Sequence, residues 1–292
     1  MHMTASTRPA KHNDDHAKVL PGTKGAHLTE STDPSSVLRV LDVRVDTVQI
    51  PDVIRVMERW IEAREVCRGI AVTGMHGVTE ARHNPSFKKI LDAADLIVPD
   101  GMPLVWLGRL KGHPLERRVY GPELMYAFCE QTARKGYRHY FYGGAPGVPE
   151  RLEKRFLEEF PQMVVAGTHS PPFRPLTPQE DEGVVEAINR AHPDVLWVGL
   201  GTPKQEIWID AHRNRLRVPV IVAVGAAFDI NAGTKRQAPC WMREHGLEWS
   251  FRLVQEPRRL WRRYLVYGTK FVFYVGCELW NERRASRRTQ GT

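Results

Sequence analysis

Three stretches of this chain repeat one order: a short apolar run, a turn holding glycine, then an apolar helix. They are ADLIVPDGMPLVWLGRL (94–110), RHYFYGGAPGVPERLEKRFLEEF (138–160) and DVLWVGLGTPKQEIWIDAH (194–212). RGIAVTG (68–74) and PVIVAVGAAFDINAG (219–233) add two more apolar runs ending in turns. Strands that alternate with helices cannot pair as hairpins, so they predict a mainly parallel sheet with helices on both faces. LDVRVDTVQI (41–50) alternates like one further strand, and PDVIRVMERWIEARE (51–65) begins a helix at Pro51. The predicted fold class is α/β, with a Rossmann-like sheet, flanking helices and a helical basic appendage at the C-terminal end.

Three regions follow from the pattern. Residues 1–37 are rich in His, Ser, Thr, Pro and Lys and lack apolar periodicity, so a disordered arm is expected there. Residues 38–245 carry the α/β core. Residues 246–292 form the appendage. From residue 230 onward there are 13 Lys/Arg against 5 Asp/Glu, which accounts for the whole net charge of +8. Charge gathered in one segment points to an anionic partner there: a phosphate-bearing substrate, an anionic membrane surface or nucleic acid. Trp, Tyr and Phe crowd the same segment, which favours membrane over nucleic acid. Residues 264–280 are apolar but broken by Lys270 and Glu278, and are short for a bilayer span. An interfacial or core-packed amphipathic helix is expected instead. The four cysteines stand far apart, which fits a reducing compartment, and no hydrophobic leader precedes the first strand, so secretion is not expected.

Ligands of open α/β sheets bind beyond the carboxyl ends of the strands. Asp100 lies at such an end, between apolar neighbours, and serves there either as a general base or only as the cap of the next helix. Gly143 and Gly144 after one strand, and Gly199 and Gly201 after another, are either anion-binding backbone turns or plain tight turns. Neither turn completes the dinucleotide fingerprint GxGxxG: Tyr142 takes the first place in one and Lys204 the third in the other. In GTPKQE, Gln205 presents an amide near a helix start, suited to sugar hydroxyls or merely solvated. Asp229 is placed to accept from a ribose hydroxyl or to shape a turn. No zinc spacing, HExxH or DxD occurs. No metal site and no cofactor are expected, so arginines or backbone donors would hold a leaving diphosphate.

Six motifs in order resemble the WecG/TagA/CpsF glycosyltransferase family over about residues 40–265. They are ADLIVPDGMPLVW, ERRVYGPELM, FYGGAPGVPE, INRAHPDVLWVGLGTPKQE, VGAAFDINAGTKRQAP and GLEWSFRLVQEPRRLWRRY. The resemblance implies metal-independent, inverting transfer of a sugar from a UDP-sugar to a polyprenyl-diphosphate-linked acceptor in surface polysaccharide synthesis. The enzyme would sit in the cytoplasm, peripheral at the inner membrane face, with the tail on anionic lipid, no nucleic-acid partner and a possible homo-oligomeric state. It implies Asp100 as the general base, Thr73 and Arg118 in the same pocket, and Gln205 on the sugar. Asp229 would contact the nucleotide, and Arg252, Arg259 and Arg262 the diphosphate. One position departs: many members carry Asn two residues after the threonine, where Met75 stands here. Met lacks those hydrogen bonds, so the donor widens from N-acetylmannosamine to its uronic acid or a related hexose. The competing class is a nucleotide-binding Rossmann-type oxidoreductase.

Overall fold

The computed structural model describes residues 37–289. The expected arm lies outside the described residues apart from Val37, which opens the first strand. Six parallel strands form the central sheet: β3 (Arg68–Thr73), β4 (Leu96–Pro99), β5 (Arg138–Gly143), β6 (Val164–His169), β7 (Val195–Gly199) and β8 (Val220–Ala223), in spatial order β4-β3-β8-β7-β5-β6. Successive residues of each strand face opposite ways. Ile70, Val72, Leu96, Val98, Phe141 and Trp197 therefore pack under α1 (Ile50–Ala63), α5 (Gly121–Thr132) and α6 (Val148–Glu159). Tyr140, Tyr142, Leu196, Val198 and Ile221 face α7 (Pro178–Ala191) and α8 (Lys204–His212). Ala71 and Ile97 face α2 (Met75–His83), α3 (Pro85–Asp92) and α4 (Met102–Leu110). The chain order reverses between β5 and β7. There the two strand-end turns touch: a Cβ on Gly143 would lie 2.6 Å from the Gly199 carbonyl carbon.

The single strand expected at 41–50 is instead an antiparallel hairpin, β1 (Val37–Val40) with β2 (Val43–Asp46). Leu41 and Asp42 turn the chain with φ of 50° and 66°. Both lie in the left-handed region that two-residue hairpin turns require, normally filled by Asn-Gly. The hairpin protects the sheet edge: the buried Asp46 carboxylate accepts from the Ile97 amide of β4 at 2.7 Å. Asp46→Ala leaves that buried amide without a partner and is expected to cost about 1–3 kcal/mol in urea unfolding. Asp46→Asn, which keeps an acceptor oxygen, should lose less.

After β8 the chain forms only helices: α9 (Ala227–Asn231), α10 (Cys240–Glu244), α11 (Glu248–Gln255), α12 (Pro257–Trp261), a π turn (Arg262–Val266) and α13 (Tyr267–Thr289). Pro239 and Pro257 stand at helix starts, as their fixed φ favours. Residues 227–231, expected as a loop, are helical. The amphipathic helix expected near 264–280 packs on protein along one side. Phe271 and Val275 are buried with the hairpin, α2 and α4, Tyr267 donates to Glu80 at 2.9 Å, and Lys111 donates to Glu278 at 2.9 Å. The Leu41 amide donates to the other Glu278 oxygen at 2.8 Å. Its opposite side exposes Val272, Phe273 and Trp280. Among the described residues, no helix is long and apolar enough to cross a membrane.

Candidate active site

Asp100 follows β4 in the turn before α4, where its amide donates to the Thr73 carbonyl of β3 at 2.7 Å. The two backbones are pressed together. A Cβ on Gly74 would lie 2.3 Å from the Asp100 carbonyl oxygen, so only glycine fits against the backbone of this turn. Gly101, with φ of 115°, completes the turn in a conformation that other residues rarely adopt. Asp100 is partly buried. Burial pushes its pKa up to about 6; Arg118 opposes the rise, Glu248 adds to it, and Arg263 and Arg252 oppose it. The group therefore changes charge near neutral pH, where a base is most effective.

The charges around Asp100 come from two parts of the chain. Arg118, before α5, stacks over Tyr120 at 4.0 Å and hydrogen-bonds the Glu248 carboxylate of α11. The Tyr120 hydroxyl donates to the other Glu248 oxygen at 2.8 Å, and Arg252, one turn along, stands 4.0 Å from it. Glu248 is only 6% exposed. It was not singled out in the sequence, where a glutamate inside a basic tail reads as a solvated residue. Here it is the buried anion that seats the tail on the core.

The arginines separate by direction. Arg252 faces the site. Arg259 is exposed and pairs with Glu256, while Arg262 is exposed and lies 6.0 Å from the Trp261 ring. Arg263 turns inward instead. Its charge acts on Asp100, His76 and Glu206, and it has no hydrogen bond or ion pair among the described residues. Burial lowers its pKa, and the positive charge of Arg252 lowers it further. Arg262 and Arg263 both lie in the π turn. One extra residue per turn rotates the helix, and such turns recur at functional sites. Helical spacing alone therefore could not choose between Arg262 and Arg263.

The remaining site residues expected from sequence lie close by, but several are already engaged. Gly144 donates its amide to the Gly199 carbonyl at 3.0 Å. Gln205, 2% exposed, accepts from the Gly201 amide at 3.0 Å and donates to Glu206 at 3.1 Å. Asp229 accepts from Thr234 and pairs with Lys235 at 2.9 Å, and Lys235 also reaches Glu256 at 3.3 Å. Lys235, Gln237, Tyr120, Glu248 and Arg252 line a cavity between the α9 end of the core and α11. Thr73 is buried with its hydroxyl unpartnered. His76 is half-buried, edge-on to Tyr267 at 4.8 Å; its partial burial, then the Arg263 charge, pushes its pKa down to about 3, so it is neutral. Met75 points elsewhere: its thioether packs at Gly268 of α13. The departure at that position thus belongs to the docking of α13. Among the described residues, no cluster of His, Cys, Asp and Glu could hold a metal ion.

Comparison with known proteins identifies the family. The chain is 33% identical over 208 residues to the N-acetylglucosaminyldiphosphoundecaprenol N-acetyl-beta-D-mannosaminyltransferase of Bacillus spizizenii, an alignment covering 71% of this chain and 77% of that protein. The protein of the same name from Staphylococcus aureus is 31% identical over 186 residues, 63% of this chain and 71% of its own length. These relatives are glycosyltransferases, and no comparison supports the oxidoreductase alternative, whose glycine fingerprint is broken in both turns. A profile of the Glycosyl transferase WecG/TagA/CpsF family matches residues 38–285, nearly the whole described chain. With strand-end carboxylate, switch-point glycines and arginine-bearing tail all falling inside that match, the chain belongs to the WecG/TagA/CpsF glycosyltransferase family.

Proposed function

We propose that this glycosyltransferase moves N-acetylmannosamine, or a closely related hexose or hexuronic acid, from a UDP-sugar to a polyprenyl-diphosphate-linked acceptor, with inversion and without a metal. The reading rests on one observation above the others: a strand-end carboxylate on which arginines of both core and tail act, with Arg118 and Arg252 gathered at Glu248. Asp100 takes the proton from the attacking acceptor hydroxyl, the hydroxyl oxygen bonds to the anomeric carbon, and the bond to UDP breaks. Arg118, Arg252 and Arg263 offset the charge that develops on the diphosphate, the task a metal performs elsewhere. The acceptor follows from the names of the relatives, which act on N-acetylglucosaminyldiphosphoundecaprenol.

The lipid carrier places the reaction at a membrane. Trp106, Trp241, Trp249, Trp261 and Leu265 are exposed on or beside the tail, alongside Arg258, Arg259 and Arg262. Aromatic and basic side chains together suit an anionic headgroup layer. The decisive assay mixes radiolabelled UDP-N-acetylmannosamine with N-acetylglucosaminyl-diphosphoundecaprenol in detergent, with and without EDTA. Labelled lipid product in both is expected. No product from any UDP-sugar would sink the reading, and loss of product on chelation would sink its metal-free part. Cosedimentation with anionic vesicles should fall at least severalfold when Trp241, Trp249 and Trp261 are all replaced by Ser.

A further inference from the structure

The open hydrogen-bonding position of the GTPKQE turn belongs to Glu206, not to its neighbour Gln205. Both polar atoms of Gln205 are engaged within the turn, at Gly201 and at Glu206 Oε1. Glu206 Oε1 also accepts from the Thr202 hydroxyl at 2.9 Å. Its other oxygen, Oε2, has no hydrogen-bond partner, although Glu206 is only 4% exposed. A buried carboxylate oxygen without a donor is costly, and such atoms mark places where a partner arrives from outside the chain.

Three observations link Glu206 to the residues around Asp100. Gly77, in the first turn of α2, packs between two polar residues: a Cβ there would lie 2.2 Å from Thr73 Oγ1 and 3.7 Å from the Thr202 methyl carbon. Thr73 Oγ1 is itself buried and unpartnered, in a residue 1% exposed. The unpaired Arg263 is a common neighbour, since its charge acts on Glu206 and on Asp100 alike. A carboxylate oxygen and a hydroxyl, both buried and both unmet, thus lie on residues joined through Gly77 and Thr202, and the charge of Arg263, which lacks an ion-pair partner among the described residues, acts on that carboxylate. A ring hydroxyl, which donates and accepts at once, satisfies this pair. A carboxylate or phosphate ligand would meet repulsion from Glu206.

Resting on the transferase reading above, we propose that Glu206 Oε2 accepts a hydrogen bond from a ring hydroxyl of one of the two sugars, fixing that ring against Asp100. Glu206 is then a substrate-binding residue of the donor or the acceptor site. The competing role is structural: Glu206 also borders a narrow cleft under α3 and α8, lined by Ile70, Ala71, Leu91 and Ile209, where a buried water could meet Oε2.

The test uses the full chain, UDP-N-acetylmannosamine and N-acetylglucosaminyl-diphosphoundecaprenol, with donor and acceptor analogues lacking one ring hydroxyl at a time. Glu206→Gln keeps the Thr202 bond and the side-chain shape but removes the charged acceptor. Its kcat/KM should fall about tenfold, with the KM rise confined to one substrate, which names the sugar bound. For the one analogue lacking the recognised hydroxyl, wild type and Glu206→Gln should become equal. If the two losses multiply for every analogue, the water-bridged structural role holds and the proposal is overturned. The same follows if Glu206→Gln retains wild-type KM for both substrates. A wild-type chain that turns over no UDP-sugar would sink the transferase reading first, and this assignment with it.

Discussion

Asp100→Asn is expected to lower kcat by about 10²–10⁴-fold, the usual contribution of a positioned general base, while the affinity for UDP changes little. The amide keeps the size of the side chain but cannot take a proton. Isothermal titration with UDP and turnover with the lipid acceptor separate the two effects. The pH dependence gives a second signature. With a pKa near 6, wild-type kcat/KM should fall below about pH 6 as Asp100 is protonated, and this limb should vanish in Asp100→Asn. Stability moves the other way. The folded pKa lies above the ordinary 3.8, so the folded state holds this proton more tightly than the unfolded chain does. Folding therefore loses stability as pH rises from about 4 to about 6, and does not regain it above. Asp100→Asn should melt higher than wild type at pH 8 and equal to it below pH 3.8. A variant that retained wild-type turnover would remove Asp100 from the role of base.

Glu248→Ala should be the most damaging single change outside the strands, costing about 3–5 kcal/mol, the range for removing one member of a buried ion pair. Arg118 and Tyr120 would both lose their partner in a dry interface, and α11 would lose its hold on the core. Urea unfolding measures the loss, and protease sensitivity near residues 233–247 reports whether the tail has lifted. Glu248→Gln separates seating from electrostatics. It keeps an acceptor for Tyr120 but removes a negative charge that raises the pKa of Asp100. The acid limb of its pH profile should therefore move to lower pH. An unmoved limb, with the fold intact, would show that Glu248 does not act on the base.

The α/β core was legible because most of its strands are nearly all apolar and run into a turn bearing glycine or aspartate before a helix begins. Its failures are local and physical. Leu41 and Asp42 make a left-handed turn without the residues that advertise one, so two strands read as one. Arg263 could not be told from Arg262, because a π turn breaks the 3.6-residue spacing on which facing is judged. Gln205 was singled out for its amide, yet that amide is engaged with its own turn, and the open oxygen belongs to the next residue. Glu206 and Glu248 share a cause of concealment. A buried carboxylate looks like any surface glutamate until its neighbours are known, and those neighbours lie at Thr202, Gln205, Arg118 and Tyr120.

The bond from the Leu41 amide to Glu278 joins positions 237 residues apart. A ribosome delivers the hairpin first and its latch last, so the emerging chain holds Asp100 for most of synthesis without Glu248, Arg252 or Arg263 beside it. During that interval Asp100 has Arg118 of the core beside it but none of the tail charges that also act on it. Contacts this distant also fold slowly.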